Sequence, residues 1–459
     1  MTDGGVVPEA YLEHNADVPC RSIKKSAAIL WLHLLGVLLF LYAVLGKGIS
    51  YVGIGNLYIG EIVICLGIPL VVFWGLTRRL VCDPALVALL LFCFWGLVRT
   101  VTQIDQFGLL AIRDAALWGY GIFAVMLVTA IARMEDPAAK VVSFLRIYAP
   151  AVVLCAPVVF IGGKVLAAYV PCWPGSTFHL LYHKSGDVLV HLAIVYAAVA
   201  SGALPWSVRI WAIPWTISAI IVMPFNRGGS LVLVLIGLLS LFPKWANRRW
   251  PLAIGSVICG MIFVLALTGL RIEIDDYNER VVSFEQITEN AASLVGGETS
   301  GNQNANIQWR MRWWQAIIEE LPEQGYGWVG VGFGPHIARQ FNVLDTPIEA
   351  RSPHNVWMTI YARMGMVGLV LWSAMLLLWF RTVIRGIRRF EAIGDVRRAS
   401  LLKAAAIAMP GMLLNASVDI YFEGPVGGIW FWCLFGAAVG LVRGKHFVKS
   451  TAGGPPSMP

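Results

Sequence analysis

Runs of apolar residues about as long as a bilayer is thick recur along this chain. A helix needs about 20 apolar residues to cross the hydrocarbon core. Lipid offers no hydrogen-bond partners, so each run must bond its own backbone as a helix. Twelve runs qualify as spans: 27–45, 57–76, 84–98, 109–132, 147–170, 187–203, 210–223, 229–242, 251–270, 356–380, 401–418 and 425–442. The runs 84–98, 210–223 and 229–242 are short and must borrow flanking residues or sit broken in the bundle. The chain is 58% hydrophobic and 14% charged, against about 45–50% and 25% in soluble domains. An ordinary soluble enzyme and a disordered chain are excluded. The expected fold class is an all-α polytopic membrane protein of about twelve transmembrane helices.

Lys and Arg set the expected orientation. Arg21, Lys24 and Lys25 precede the first span. Alternate connections then carry Arg78 and Arg79, Arg133 to Arg146, Arg209, Lys244 to Arg249, Arg381 to Arg398, and Arg443 to Lys449. Cytoplasmic loops carry such cations, which puts both termini in the cytoplasm. The expected organisation is a cytoplasmic tail 1–26, spans within 27–270, a periplasmic loop 271–355, three spans within 356–442, and a cytoplasmic tail 443–459. The excess of 35 Lys+Arg over 27 Asp+Glu is thereby assigned to membrane anchoring, not to nucleic acid. No cleavable signal is evident, so the first span reads as a retained anchor. The eight cysteines form no CxxC pair and read as bystanders, and many of the 19 Trp suit an interfacial belt. Membrane lipids are the surrounding partner.

The loop 271–355 is the one long polar segment. Ile307, Met311, Trp314, Ile318 and Leu321 follow helical spacing, and Pro322 stops the run. On that phase Arg310 lies about 60° from the Ile307 direction and Arg312 about 140°. A glycine-rich turn follows, from Gly325 to Gly334.

Three polar groups stand at the expected outer face. Asn226-Arg227-Gly228-Gly229-Ser230 breaks two short apolar blocks. Arg227 there meets an anion or a water-filled cavity, with Gly228 letting backbone approach a ligand; the alternative is a hairpin turn whose Arg snorkels to the interface. Trp309-Arg310-Met311-Arg312-Trp313-Trp314 either binds substrate or rests on lipid headgroups. Arg351-Ser352-Pro353-His354-Asn355 puts a histidine beside a helix start. A histidine titrates near neutrality, so His354 is a candidate general base; it is also readable as an ordinary interfacial histidine. His179, His183, Lys184 and His191 fall near another outer loop, where they can line the same cavity. Arg113-Asp114 reads either as substrate-lining or as a self-paired ion pair. Only Lys164 and Glu61 look embedded.

Arginine forks bind diphosphate oxygens, and a diphosphate leaves without an acid to help it. A histidine can take a proton from an attacking hydroxyl. Together they suit glycosyl transfer from a polyprenyl-diphosphate sugar. The first outer loop, 46–56, has no Asp or Glu, and Asp275-Asp276 reads as a solvated turn. No cofactor and no metal are expected.

In their order, these motifs resemble the bacterial O-antigen ligase and polymerase superfamily. The resemblance rests on Arg227-Gly228-Gly229 opening a mid-chain span and on Arg310 four residues before Trp314 in a late outer loop. It rests further on Gly327, Gly330, Gly332 and Gly334 in the turn, and on His354-Asn355 before a span containing Met364-Gly-Met-Val-Gly368. It covers about residues 210–380. It implies a GT-C-like helical fold and periplasmic, inverting, metal-independent transfer of a glycan from undecaprenyl diphosphate to an acceptor hydroxyl. It implies His354 as base and Arg227 and Arg310 as diphosphate binders. Arg312, Arg351, Asn355, Gly228, His183 and Lys184 are then candidates to line the substrates. The partners are an undecaprenyl-diphosphate-linked glycan and a lipid-borne or glycan acceptor. A ligase acting on lipid A-core and a polymerase of O-antigen or exopolysaccharide both fit. A lipid or polysaccharide transporter fits less well, because no repeat is visible and the charges sit at one face.

Overall fold

The computed structural model describes residues 17–55, 57–74, 83–174, 178–242, 249–256, 258, 272–275, 280–282, 301–343 and 351–444. Among them, seven helices are long and apolar enough to cross a membrane, by length and composition. These are Ala27–Leu45, Pro84–Phe107, Pro137–Val165, Val208–Phe225, Val356–Ala392, Val396–Ala416 and Pro425–Arg443. Four shorter apolar helices join them: Ile59–Pro69, Ala116–Ile131, Ser185–Ala200 and Arg227–Ser240. The chain is thus a helical polytopic membrane protein. Most of the expected span 251–270 and most of 271–300 lie outside the described residues.

The helices used below are α1 (Asp17–Leu45), α2 (Ile59–Trp74), α3 (Pro84–Phe107), α4 (Leu109–Asp114), α5 (Ala116–Gly119), α6 (Gly121–Ile131), α7 (Pro137–Leu154), α8 (Ala156–Val165), α9 (Ser185–Ala200), α10 (Val208–Val222), α11 (Arg227–Ser240), α12 (Gly301–Glu323), α13 (Ile337–Gln340), α14 (Val356–Ala392), α15 (Val396–Ala416) and α16 (Pro425–Arg443). The small strands are β1 (Gly53–Ile54) paired with β2 (Leu57–Tyr58), and β3 (Ile272–Asp275) paired with β4 (Arg280–Val282), both antiparallel.

Local chemistry explains where the helices depart from the apolar runs. The run 84–98 extends to Phe107, because Asp83 caps the start with Pro84 at the first position and the last turn tolerates Thr, Gln and Asp. The run 109–132 divides into α4, α5 and α6 at Ala115 and Tyr120. The run 147–170 begins earlier, at Pro137, where the Asp136 side chain accepts from Ala139 N. It breaks at Cys155, just before Pro157, whose ring cannot join the preceding turn.

The centre is a bundle in which α16 packs on α6, α14 on α3, and α9 on α15. Tryptophan does more here than form a belt. Trp372, Trp379 and Trp432 are fully buried. Trp372 lies 5.3 Å from the Phe92 ring and 5.5 Å from Phe431. Flat apolar rings fill a helix interface well, and two of the indole N–H groups find carbonyls: Trp379 donates to Phe435 O and Trp430 to Leu39 O.

A second, smaller core holds the end of the loop segment. Trp313, Ile317, Leu321, Val331, Ile337, Phe341 and Ala362 bury one another there. This corrects the expected phase of α12. Of the expected stripe Leu321 is fully buried, but Met311 is 60% exposed and Ile318 52%, whereas Trp313 and Ile317, outside that stripe, are fully buried. Two apolar stripes run along this helix. The stripe with Trp309, Trp313, Ile317 and Leu321 is bulkier and takes the core, where each buried side chain contributes about 1.5–3 kcal/mol.

Candidate active site

The polar groups singled out from the sequence meet around two residues, Val418 and Asp419, in the turn between α15 and α16. Arg310 donates from Nη1 to the Val418 carbonyl at 2.8 Å. The start of α11 reaches the same place. A Cβ on Gly228 would lie 2.5 Å from Val418 Cγ2, so only glycine lets that helix end come so close. Asn226 caps it, its side-chain oxygen accepting from Gly229 N at 2.7 Å. Arg227 is therefore the first residue of α11 and is half-buried. The glycine that sequence reasoning gave to ligand approach serves helix packing.

Asp419 draws in the other two groups. His354 Nδ1 is 3.7 Å from Asp419 Oδ1, and Lys184 Nζ is 3.4 Å from the same oxygen. The imidazole contact is in ion-pair range, a little beyond direct hydrogen bonding. Burial opposes ionisation of Asp419, but Lys184 and His354 outweigh it and hold the carboxyl well below the usual carboxylate range. Burial likewise opposes the charge on Lys184, yet Asp419 and Asp187 outweigh it, so the ammonium is held above its ordinary value. An ionised carboxylate thus stands between the Lys184 ammonium and the His354 ring. Trp309 closes the other side, its ring 5.7 Å from and perpendicular to that of His354. Arg310 lies 5.7 Å from the Trp309 ring.

The backbone at His354 is in the left-handed region, with φ of 55°. A non-glycine residue there costs of order 1–3 kcal/mol and persists only where its surroundings impose it. Every neighbour does so. Arg351 Nη2 bonds Asp114 at 3.0 Å and donates to the Gly334 carbonyl at 2.8 Å. Ser352 Oγ donates to Glu423 Oε1 at 2.5 Å. The Pro353 carbonyl accepts from Trp314 Nε1 at 2.7 Å. Asn355 caps α14, its oxygen accepting from Trp357 N at 2.9 Å and Met358 N at 3.3 Å. His354 is thus held between four anchors.

The glycine-rich turn has a supporting role. It docks in a kink of α14 at Gly365, φ 65°, where a Cβ would meet the Trp328 carbonyl at 2.3 Å. Val331 N bonds Ala362 O at 2.8 Å and Gly332 N bonds Arg363 O at 3.0 Å. Arg99 donates to the Gly330 carbonyl at 2.9 Å. Asp114 ties the set together, meeting Arg363 and Arg351 at 3.0 Å each and Arg113 at 3.3 Å.

The expected lining residues thus divide. Lys184 is at the centre of the charged group. Arg351 and Asn355 hold the His354 segment, as an ion pair and a helix cap, and neither contact is to open space. Arg312 is exposed on α12 and outside the group around Asp419. His183 is 5% exposed and donates from Nε2 to the Ala43 carbonyl at 3.0 Å, locking its loop to the end of α1. Sequence reasoning missed Asp419, Glu423 and the partners of Asp114. The available signal was two carboxylates, Asp419 and Glu423, in a short connection without a cation.

His183 carries a pH dependence. Burial pushes its imidazole down to about 4, from about 6.5 in the unfolded chain. Between those values the unfolded state binds the additional proton, so stability falls as pH drops from 6.5 toward 4. Thermal unfolding in detergent micelles should show a lower Tm at pH 4.5 than at pH 7. His183→Gln, which retains a donor for Ala43, should show a smaller drop. An equal drop in the two proteins assigns the acid sensitivity elsewhere.

Residues 212–373 match the family model described as O-antigen ligase. That range runs from α10 through Arg227 and Arg310 to His354 and the kinked part of α14. The resemblance read from the motifs holds for this segment. No curated protein matches the chain.

Proposed function

We propose, from the O-antigen ligase segment and the group around Asp419, that this protein is a glycosyltransferase of cell-envelope polysaccharide synthesis. Its donor is a glycan on undecaprenyl diphosphate and its acceptor is a hydroxyl of lipid A-core, on the periplasmic face. The observation that carries the reading is the contact of His354 with an ionised Asp419, with Arg310 bonded to the adjoining Val418 carbonyl and Arg227 at the start of α11, whose Gly228 packs on Val418. This pairs an oriented base with two arginine forks.

The chemistry follows from those positions. His354 takes the proton of the acceptor hydroxyl as its oxygen bonds the anomeric carbon. The bond from that carbon to the diphosphate oxygen breaks, and undecaprenyl diphosphate leaves with the electron pair. Arg227 and Arg310 meet the negative charge that grows on it. Attack opposite the leaving group inverts the anomeric centre. Asp419 orients the imidazole and stabilises the imidazolium formed, as the carboxylate of a catalytic triad does. No step here draws on a metal, so the reading is a metal-independent mechanism.

Deleting the gene and analysing the cell's glycans tests the reaction. Lipid A-core without long chains, with finished polymer left on the lipid carrier, is the expected result. Single repeat units accumulating on the carrier identify a polymerase instead. An unchanged glycan profile contradicts both. Periplasmic reporter fusions test the side: a fusion at residue 300 should be active and one at residue 245 inactive.

A further inference from the structure

A cavity of roughly 570 Å³ lies among α1, α7, α9, α15 and α16. Small-ligand sites run from about 300 to 1,000 Å³. It is remote from the candidate active site. Leu401 and Ala408 line it from α15. At 1.5 Å per residue they lie about 22 and 12 Å from the Ala416 end of that helix, beyond which Asp419 follows. Small residues leave the space: Gly36, Ala198, Ala404, Ala405, Ala437 and Ala438 are among its walls. The exposed aliphatic wall residues, Ile29, Val37 and Ile147, lie on α1 and α7, so the cavity opens sideways there.

Its two ends differ. Toward Asp419 the Trp430 ring closes it, 5.0 Å from Tyr148 and 5.1 Å from His191, with its N–H on the Leu39 carbonyl. Tyr148 and His191 are fully buried. At the other end Lys140 stands near the start of α7, where Pro137 lies against Gly444 just past α16. Lys140 is exposed, and no other Lys, Arg, Asp or Glu lines the cavity. The nearby Asp136 is engaged elsewhere, by Arg397 at 3.2 Å and by Ala139 N at 2.9 Å. Trp430 and Leu441 mark the length of the space on α16, about 16 Å at the helical rise. The hydrocarbon of one leaflet is about half of 30 Å deep. The cavity thus has the depth of one leaflet, apolar walls, a side opening and a cation at the membrane face. Left empty, its walls would forfeit their dispersion contacts.

We propose that this cavity holds one acyl chain of a phospholipid from the leaflet opposite the candidate active site, with the lipid phosphate on Lys140. The chain enters at α1 and α7, and the phosphate meets the ammonium at the membrane face, as lipid headgroups do in basic pockets between helices. A prenyl chain whose diphosphate sits at Arg227 and Arg310 starts from the other face, beyond Trp430, Tyr148 and His191. The proposal does not depend on the transfer reaction.

Native mass spectrometry of the purified full chain tests it. The protein is titrated with palmitoyl-oleoyl phosphatidylglycerol in detergent, and the charge states separate folded from unfolded chain. One lipid should be held more tightly than the rest. Palmitoyl-oleoyl glycerol, with the same chains and no phosphate, should bind about tenfold more weakly, the loss of one charge-assisted contact. Lys140→Gln should weaken phosphatidylglycerol by a similar factor and leave the glycerol lipid unchanged. Ala437→Phe, which fills the cavity from a half-buried position on α16, should remove the tight site. The exposed Lys140→Gln keeps the test readable if Ala437→Phe does not fold. Equal affinity for the two lipids, no effect of Lys140→Gln, or a tight site retained in folded Ala437→Phe overturns the proposal. One-for-one displacement of the tight lipid by less undecaprenyl phosphate also overturns it, by assigning the cavity to a prenyl chain.

Discussion

His354→Ala should lower turnover by about 10²–10⁴-fold, the usual contribution of a positioned base, while expression and donor binding stay nearly unchanged. The expectation rests on the way the ring is presented. Its backbone is held at φ 55° by contacts from Arg351, Ser352, Pro353 and Asn355, and its Nδ1 faces Asp419 at 3.7 Å. His354→Gln should be no better, because an amide keeps a hydrogen bond but accepts no proton. Asp419→Asn should also cut turnover, since an amide cannot stabilise the imidazolium. Groups acting as a unit are not additive. The double variant His354→Ala, Asp419→Asn should therefore be about as slow as His354→Ala alone. Single-turnover rates of purified variants measure this. Multiplying losses in the double variant mean that the two residues act separately.

Arg310→Lys should reduce kcat/KM for the donor by about 10- to 100-fold, the worth of one or two hydrogen bonds to a charged group. An ammonium cannot donate two parallel bonds to a diphosphate. Nor can it readily bond the Val418 carbonyl, which Arg310 meets at 2.8 Å, and face the donor as well. Arg227→Lys should be similarly costly. Arg312→Lys should be mild, because Arg312 is exposed on α12. Steady-state kinetics with varied donor separates these cases. A severe Arg312 effect with a mild Arg310 effect places the diphosphate on the other side of the helix.

The sequence made the membrane helices visible because lipid imposes one solution on a long apolar run. It was less informative about their ends, which depend on single caps such as Asp83 and Asp136 and on Pro157. The three motif groups were visible as polar residues among apolar blocks. What joins them was not. Asp419 lies far along the chain from Lys184 and His354, and no local spacing links them. The phase of α12 was misread because periodicity alone does not rank two apolar stripes; Trp313 packs against Phe341 and Ala362 from outside the helix. The glycines of the 325–334 turn were read as a motif. Gly330 lies against the Arg363–Met364 backbone at the kink of α14, whereas Gly332 and Gly334 lie against Gln103 and Phe107 of α3, contacts that only the folded chain displays.

The central claim is that His354 transfers a proton in a metal-independent glycan transfer from a polyprenyl diphosphate. The most direct measurement uses purified protein, a synthetic polyprenyl-diphosphate glycan and a hydroxyl acceptor, with EDTA present throughout. Wild-type protein should form one glycosidic bond per polyprenyl diphosphate released, and His354→Gln should bind the same donor but form almost none. Full activity of His354→Gln contradicts the base role. Loss of wild-type activity in EDTA, restored by a divalent cation, contradicts the metal-independent mechanism and turns attention to Asp275 and Asp276.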